Sequence, residues 1–173
     1  MMIKIQTIKE HKKIKQNLLD LIKKSKSEKF TMSVYEQITK TDFNNSNVNE
    51  EYKDVVIKYI EPYTRVPNFC TQQIHDMWFQ QYEKNDNHGW HIHPGCHFSH
   101  IYLLELPSKK YLPEFYVDKL VKIDAKEGDL ISFPATIIHR SPKITGNKRK
   151  TVIVYNTSFD EPDETLINID NKS

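Results

Sequence analysis

The segment Trp90-His91-Ile92-His93-Pro94-Gly95 carries two histidines two residues apart. On an extended strand, alternate side chains project to the same face, so this spacing points both imidazoles in one direction. Five of the eight histidines lie between His88 and His100, which is a strong local concentration. Neutral imidazole is the commonest protein ligand for mid-row metals. The segment therefore indicates a metal site, around which the rest of the chain is interpreted.

Two more residues, later in the chain, extend this pattern. His139 follows a strand-like run, and Arg149 lies at the start of the next apolar run. A His-x-His pair, a distant His and an Arg on the following strand favour a metal held in the mouth of a small β-barrel. The alternative is a chance His-x-His on a polar loop. Two or three imidazoles suit Fe, Zn, Cu or Ni and do not suit Ca or Mg.

Three side chains are candidates for binding an anion beside this metal. The guanidinium of Arg149 suits planar, bidentate contact with a carboxylate, although it is also interpretable as a surface charge beside Lys148 and Lys150. Thr151 is two residues on, on the same strand face, and offers a hydroxyl to the same carboxylate. Tyr82 ends the strand before His-x-His and either points its phenol into the cavity or is a half-buried sheet tyrosine.

The spacing of apolar residues changes near residue 73, which divides the single predicted domain, 1–173, into parts. Residues 1–70 contain helical stripes, one of them after a capping box at Thr7–Glu10, and predict a helical support layer. Residues 73–160 hold many short strand-like runs, which favour a sandwich or barrel. Residues 161–173 form a polar, acidic tail. The fold class is therefore mainly β with N-terminal helices.

Charge and hydropathy argue against several classes of partner. The net charge of +2 favours no particular partner, and no basic stripe with interleaved aromatics indicates nucleic acid. No run approaches the ~20 apolar residues that a membrane-spanning helix needs, and no signal peptide is recognisable. Cys70 and Cys96 are expected to be reduced thiols. We therefore expect a soluble, cytoplasmic protein, and the sequence gives no indication of its oligomeric state.

Several runs together resemble a known family, the 2-oxoglutarate- and Fe(II)-dependent oxygenases, in particular bacterial and phage oxygenases with a prolyl-hydroxylase-like core. The resemblance covers roughly residues 75–160 and implies a double-stranded β-helix, a jelly-roll, cupin-like barrel with helices on one sheet. A phage protein of this kind would act in the host cytoplasm. The runs are Tyr82…His91-x-His93-Pro94, Ser99-x-Ile101-Tyr102-Leu103, Gly128-Asp129-Leu130-x-x-Phe133-Pro134, His139-Arg140 and Arg149-x-Thr151…Asn156.

The resemblance also implies roles for individual residues. His91 and His139 would ligate Fe(II), and Arg149 would bind the distal carboxylate of 2-oxoglutarate. Tyr82 and Thr151 match positions that assist this binding in relatives. His93 departs from the pattern, because most of the superfamily has Asp or Glu there. A subgroup with His-x-His-Pro is similar, so His93 is retained as the third expected ligand.

The reaction implied is oxidation of 2-oxoglutarate by O2, with hydroxylation of a C–H bond in a protein side chain or small molecule and release of succinate and CO2. The sequence does not indicate the substrate. One alternative is a cupin-type metalloprotein with a His-rich site and no 2-oxoglutarate, and another is a non-catalytic binding barrel. Arg149 favours the oxygenase, since a cupin does not need it.

Overall fold

A computed structural model of the chain describes residues 3–33, 36–65 and 72–160. Within these ranges the α-helices are α1 (His11–Lys24) and α2 (Glu51–Tyr59), and short 3-10 turns lie at Phe43–Asn45, Glu61–Tyr63 and Lys109–Tyr111. The strands are β1 (Lys4–Thr7), β2 (Glu28–Ser33), β3 (Glu36–Thr41), β4 (Gln72–Tyr82), β5 (His88–His91), β6 (Phe98–Glu105), β7 (Glu114–Val117), β8 (Lys119–Val121), β9 (Asp129–Pro134), β10 (Ile138–Ser141) and β11 (Lys150–Phe159).

These strands form two antiparallel sheets in the part of the chain that the structure describes. The larger sheet has seven strands in the order β1-β9-β6-β11-β4-β3-β2, and the smaller has four in the order β5-β10-β7-β8. A bridge links Gln37 of β3 to Asn87, the residue directly before β5. The mainly β architecture is thereby confirmed, and the arrangement is consistent with a jelly roll.

Apolar side chains fill two layers, one on each side of the larger sheet. Val152 and Val154 of β11 join Trp78 of β4 in the inner core, which also includes Phe115 of the smaller sheet. The residue between those two valines, Ile153, packs in the other layer. That outer layer is completed by residues of the larger sheet, α1 and α2, including Leu18, Ile22, Tyr52, Val56, Phe79 and Tyr155. Strand alternation therefore decides which β11 residues reach the space between the sheets.

The N-terminal part differs from a purely helical layer. It supplies α1 and α2, but also β1, β2 and β3, which extend the larger sheet at both of its ends. Thr7 belongs to β1 and its hydroxyl donates to Asp129, so α1 begins later, at His11, and Glu10 gives it no side-chain cap. A strand of four residues is too short to show a hydropathy period, which is why the sequence did not reveal β1.

Among the described residues, no helix combines the length and the apolar character needed to cross a bilayer. The polar tail predicted at residues 161–173 lies outside the described residues, as does Cys70.

Candidate metal and co-substrate site

Three histidines from two neighbouring strands converge at one end of the space between the sheets. His91 in β5 and His139 in β10 are directly paired across the antiparallel ladder, with ring centroids 4.2 Å apart. His93 follows β5, and its backbone N–H donates to the carbonyl of Ala135 at 3.0 Å. One ring nitrogen from each imidazole lies within 4.8 Å of the other two. This His cluster, defined as His91, His93 and His139, has the spacing of a metal site.

Hydrogen bonds fix the orientation of all three rings. Nδ1 of His91 donates to the carbonyl of Gly89 at 2.8 Å, and Nδ1 of His139 donates to that of Ile137 at 3.0 Å. In each ring the second nitrogen, Nε2, is therefore the unprotonated one. Metal-ligating histidines characteristically donate their other N–H to an oxygen in this way, which fixes the tautomer and the direction of the ligand lone pair.

Side-chain partners orient the third ring. Nδ1 of His93 lies 2.8 Å from Oδ1 of Asn156 and 2.6 Å from the Ser99 hydroxyl, which itself donates to Asn156 Oδ1 at 2.8 Å. Asn156 is thus an orienting residue that the sequence supplied only as part of the family resemblance. The sequence feature that could have identified it is its spacing on the strand, because Asn156 lies two residues after Val154 and four after Val152, on the same face.

Burial keeps the cluster uncharged, as metal ligation requires. It lowers the pKa of His93 to about 4 and that of His139 to about 2, and in both cases desolvation is the main cause. The pKa of His91 is lowered for the same reason. Because protonated imidazole has no free lone pair, these neutral rings are ready to bind a metal at neutral pH.

His88 is a fourth imidazole beside the cluster and was missed as a site residue. Its ring stacks on that of His91 with centroids 3.8 Å apart, and burial lowers its pKa to about 3. Strict alternation would send His88 and His91 to opposite faces, since an odd number of positions separates them. The β5–β10 ladder shifts register between His139 and Ser141, and this irregularity accommodates His88 on the same side.

A narrow inner cavity of about 30 Å³ extends from the His cluster into the space between the sheets. Tyr82 and Gln80 line it, and the Tyr82 hydroxyl donates to Gln80 Oε1 at 2.6 Å. Tyr82 is 1% exposed, so the structure brings its phenol into the cavity. A wider outer cavity of about 320 Å³ shares His88, His91 and His93 with the inner one. The cluster therefore lies where the two cavities meet.

Lys150 is the buried cation of the inner cavity. Its side chain is 2% exposed, its Nζ donates to the Ser141 hydroxyl at 2.7 Å, and it lies 5.1 Å from the centre of the Tyr82 ring. Among the described residues it forms no ion pair. Burial lowers its pKa to about 7. A buried ammonium that has no carboxylate partner is a suitable group for binding an anionic ligand.

Arg149 lies outside this cavity. Its Nε and Nη2 donate to the two carboxylate oxygens of Glu105 at 2.8 and 3.1 Å, and its side chain is 41% exposed. The predicted bidentate geometry is present, but the carboxylate is internal to the protein. Thr151 also donates to Glu105, and accepts from Gln81 Nε2 at 3.3 Å. The structure thus brings Tyr82 and the three histidines together and does not bring Arg149 or Thr151 to them.

Arg140 and His100 occupy different settings. Arg140 lines the inner cavity but pairs with Glu114 and stacks over the Trp90 ring, so its charge is already matched. His100 is buried in the middle of the larger sheet between the hydroxyls of Ser132 and Thr157. It is held away from the cluster and has a structural role.

No family model matches the sequence, and no curated protein matches it either. Solved structures do match. A 2OG-Fe(II) oxygenase family oxidoreductase from Burkholderia pseudomallei superposes with a TM-score of 0.61 at 12% identity, covering 83% of this chain and 77% of the other. A prolyl hydroxylase from Trichoplax adhaerens, solved with a hypoxia inducible factor peptide fragment, gives a TM-score of 0.66 at 14% identity, covering 89% and 82%.

The chain has the fold of these oxygenases. An α-ketoglutarate-dependent epimerase from nogalamycin biosynthesis, solved with Fe3+ and α-ketoglutarate, gives a TM-score of 0.66 at 9% identity and covers 90% of this chain and 78% of its own. At identities this low, the likeness concerns the fold. The His cluster adds, from this chain's own residues, three imidazoles close enough to one another to hold a metal ion.

Proposed function

We propose that the protein is a 2-oxoglutarate- and Fe(II)-dependent dioxygenase that hydroxylates a C–H bond, built on a double-stranded β-helix. The observation that carries this proposal is the unpaired buried ammonium of Lys150 in a narrow cavity that begins at the His cluster. A ligand with a carboxylate at its far end and metal-binding oxygens at its near end satisfies both groups. 2-Oxoglutarate is such a ligand.

Lys150 takes the role that the sequence pattern assigned to Arg149. Its Nζ would hold the distal carboxylate together with the hydroxyls of Ser141 and Tyr82. A charge-assisted hydrogen bond of this kind contributes roughly 1.5–3 kcal/mol. The apolar side chains of Val152 and Val154 exclude water beside it, which strengthens the attraction between the ammonium and the carboxylate.

The donor set fits iron. His91, His93 and His139 offer three neutral imidazole nitrogens, which suit Fe(II) as well as Zn and Cu. Three protein ligands leave coordination positions open for a co-substrate and O2. Iron, when bound, would activate O2 for the hydroxylation, and 2-oxoglutarate would be oxidised in the same reaction to succinate and CO2. Asn156 and Ser99 would hold the His93 ring in place, and His88, stacked on His91, would shield the cluster from one side.

The proposal is tested by measuring succinate formation and metal content together. Anaerobically reconstituted Fe(II) protein is exposed to O2 with 2-oxoglutarate, and succinate is quantified. His139→Ala is the metal-free control, and Lys150→Met is the control for the co-substrate site. We expect wild type to form succinate, His139→Ala to form none, and Lys150→Met to require at least ~10-fold more 2-oxoglutarate. Wild-type protein that binds iron stoichiometrically but neither binds nor consumes 2-oxoglutarate at millimolar concentration would contradict the proposal.

The cupin-type alternative is favoured by one observation, which is the third imidazole. Iron(II) oxygenases ordinarily use two histidines and one carboxylate, whereas His93 makes this donor set all-nitrogen. A cupin-type enzyme would bind metal through the same cluster and have no need of a buried cation. Tight metal binding with 2-oxoglutarate affinity equal in wild type and Lys150→Met would support this alternative.

A further inference from the structure

The outer cavity is distinct in chemistry from the inner one. It has a volume of about 320 Å³, which is within the range of small-molecule sites. It meets the His cluster at His91 and His93, so a ligand in it would lie beside the metal position. Its walls come from β2, β3, β4 and the turn at Phe43–Asn45, as well as from the segment around His93.

Three aromatic side chains form one side of this cavity, and we call them the aromatic wall: Phe30, Phe43 and Trp78. The rings of Phe30 and Phe43 meet edge to face with centroids 5.9 Å apart, and those of Phe43 and Trp78 do so at 5.2 Å. Phe43 is 43% exposed. A large aromatic ring left open at the mouth of a cavity indicates a surface that an apolar ligand covers.

Asp76 is the only residue with a permanent charge among the described residues that line the outer cavity. It lies two residues before Trp78 on β4, and alternation places both on the same face. Its hydrogen-bond partners are neutral: the Ser46 hydroxyl at 3.5 Å, and the amide of Asn47 at 3.2 Å once that amide is turned to satisfy its own bonds. The carboxylate charge therefore has no ion-pair partner in the described part of the chain.

Lys53, a cation that interacts electrostatically with Asp76, is hydrogen-bonded to other groups. Lys53 Nζ donates to the carbonyls of Asn45, Ser46 and Val48, at 3.4, 2.7 and 2.7 Å. It does not line the outer cavity. A partly buried carboxylate beside aromatic faces is the environment that binds ammonium groups, through charge pairing on one side and cation–π attraction on the other.

A buried polar group without a hydrogen-bond partner among the described residues belongs to the same wall. Trp78 is 4% exposed, and its indole Nε1–H has no hydrogen-bond partner in the described structure. Indole N–H groups that are buried normally find an acceptor. Trp78 lines both cavities, so a ligand oxygen at their junction is a suitable acceptor.

We infer that the outer cavity binds a substrate with a protonated amine on an apolar body, the amine pairing with Asp76 and the body lying along the aromatic wall. This inference rests on the proposed function only in calling the ligand a substrate, because the binding preference itself requires neither metal nor 2-oxoglutarate. Asp76 would repel anionic compounds from the same space. The two cavities would therefore bind groups of opposite charge, a carboxylate at Lys150 and an ammonium at Asp76.

The test uses the fluorescence of Trp78 in the metal-free full-length protein. The chain has two tryptophans, so Trp90→Phe leaves Trp78 as the only one. Trp90 lies 43% exposed on the smaller sheet, outside both cavities. Benzylamine is the ammonium probe, benzyl alcohol its neutral counterpart and benzoate its anionic one. We expect benzylamine to bind at least ~10-fold more tightly than benzyl alcohol.

Asp76→Asn should abolish this preference while leaving the affinity for benzyl alcohol unchanged, which also shows that the cavity is intact. Asp20→Asn, an exposed charge on α1, is the matched control and should keep the preference. Asp76→Lys should transfer the preference to benzoate. Equal binding of benzylamine and benzyl alcohol to wild type, or a preference that survives Asp76→Asn, overturns the inference.

Titration of the anaerobic Fe(II) protein with 2-oxoglutarate separates this inference from the proposed function. We expect wild type and Asp76→Asn to bind 2-oxoglutarate equally. If 2-oxoglutarate does not bind but the Asp76-dependent preference for benzylamine holds, the oxygenase proposal falls and the ammonium site stands. If 2-oxoglutarate binds and the preference is absent, the ammonium site alone is wrong.

Discussion

Arg149, the residue before β11, and Lys150, its first residue, are neighbours in sequence, but their side chains point in opposite directions. Arg149 reaches Glu105 at the surface, whereas Lys150 is 2% exposed and donates to Ser141 inside the cavity. Strand alternation makes this difference absolute, because a shift of one position moves a side chain from one face of the sheet to the other. The inner face of β11 continues through Val152, Val154 and Asn156, so Lys150 lies on the face that lines the cavities.

The first prediction follows from the position of Lys150 on the inner face of β11. Lys150→Met should weaken 2-oxoglutarate binding by at least ~10-fold, since the loss of one charge-assisted hydrogen bond exceeds the ~1.4 kcal/mol that corresponds to a factor of ten. Arg149→Lys should change the affinity little, because its partner is Glu105. The measurement is calorimetric titration of the anaerobic Fe(II) protein.

Lys148→Met is the matched control for this experiment. Lys148 is exposed and two positions before Lys150, so it removes the same charge without touching the cavity. Iron content should be equal in all of these variants. Should Arg149→Lys lose 2-oxoglutarate affinity while Lys150→Met retains it, the assignment of the anchor to Lys150 is wrong.

The second prediction concerns the metal. His139→Ala should lose most of the bound metal, because it removes one of three converging donors. Asn156→Leu should leave the donors in place but release the His93 ring, and removal of such an orienting partner typically lowers metal affinity by roughly 10–100-fold. Competition with a chromophoric chelator measures both effects. An unchanged affinity in Asn156→Leu would indicate that His93 is not a ligand.

The third prediction concerns the energetic cost of the buried ammonium. Without its anion, Lys150 destabilises the fold, so Lys150→Met should raise the free energy of unfolding by on the order of a few kcal/mol at pH 7. The folded pKa, about 7, lies below the ordinary value of a lysine. Between those values the unfolded chain binds the extra proton, so stability rises with pH.

The gain from Lys150→Met should therefore be largest at or below pH 7 and shrink as the pH rises towards 10. Urea unfolding of both proteins across this range measures it, and the other titrating groups cancel in the difference. A gain that stays constant with pH would show that folding does not shift the pKa of Lys150, which would then stay charged in the folded apoprotein. A loss of stability in the variant would show that packing around the aliphatic stem outweighs the charge.

The sequence was sufficient for the parts of the fold and site that follow from local pattern. The mainly β character of residues 73–160 was predictable because β-branched and aromatic residues are frequent in short runs there, and the convergence of His91, His93 and His139 followed from their spacing. The sequence could not show which residues of a strand face the space between the sheets. Lys148, Arg149 and Lys150 are three cations in a row, and nothing in their composition tells which one faces inward.

Tertiary packing supplies the missing information. The pairing of β11 with β4 and β6, including a register irregularity between Thr151 and Val152, determines that Lys150 points between the sheets. The same limitation hid His88, whose position depends on an irregularity in the β5–β10 ladder. The resemblance to a family with Arg at the anchor drew attention to Arg149, whereas Lys150 is the neighbouring cation that lines the inner cavity.

The last prediction is the pH dependence of 2-oxoglutarate binding. Only the protonated form of Lys150 attracts a carboxylate, and its pKa of about 7 in the free protein means that protonated and neutral forms coexist near neutral pH. Below that pKa the anchor is charged before the ligand arrives, so affinity should be high and independent of pH. Above it, binding must draw a proton from solution, and affinity should fall by up to ~10-fold for each unit of pH.

Calorimetry at pH 8.5 in two buffers of different ionisation enthalpy should detect uptake of close to one proton per ligand bound, falling towards none at pH 6. The histidines of the cluster do not produce this effect, because burial lowers their pKa values and they are already neutral above pH 7, where the affinity falls. Arg149→Lys should show the same proton uptake as wild type. Binding that is equally tight at pH 6 and pH 9 with no proton uptake would require an anchor that stays charged, and would return the role to an arginine.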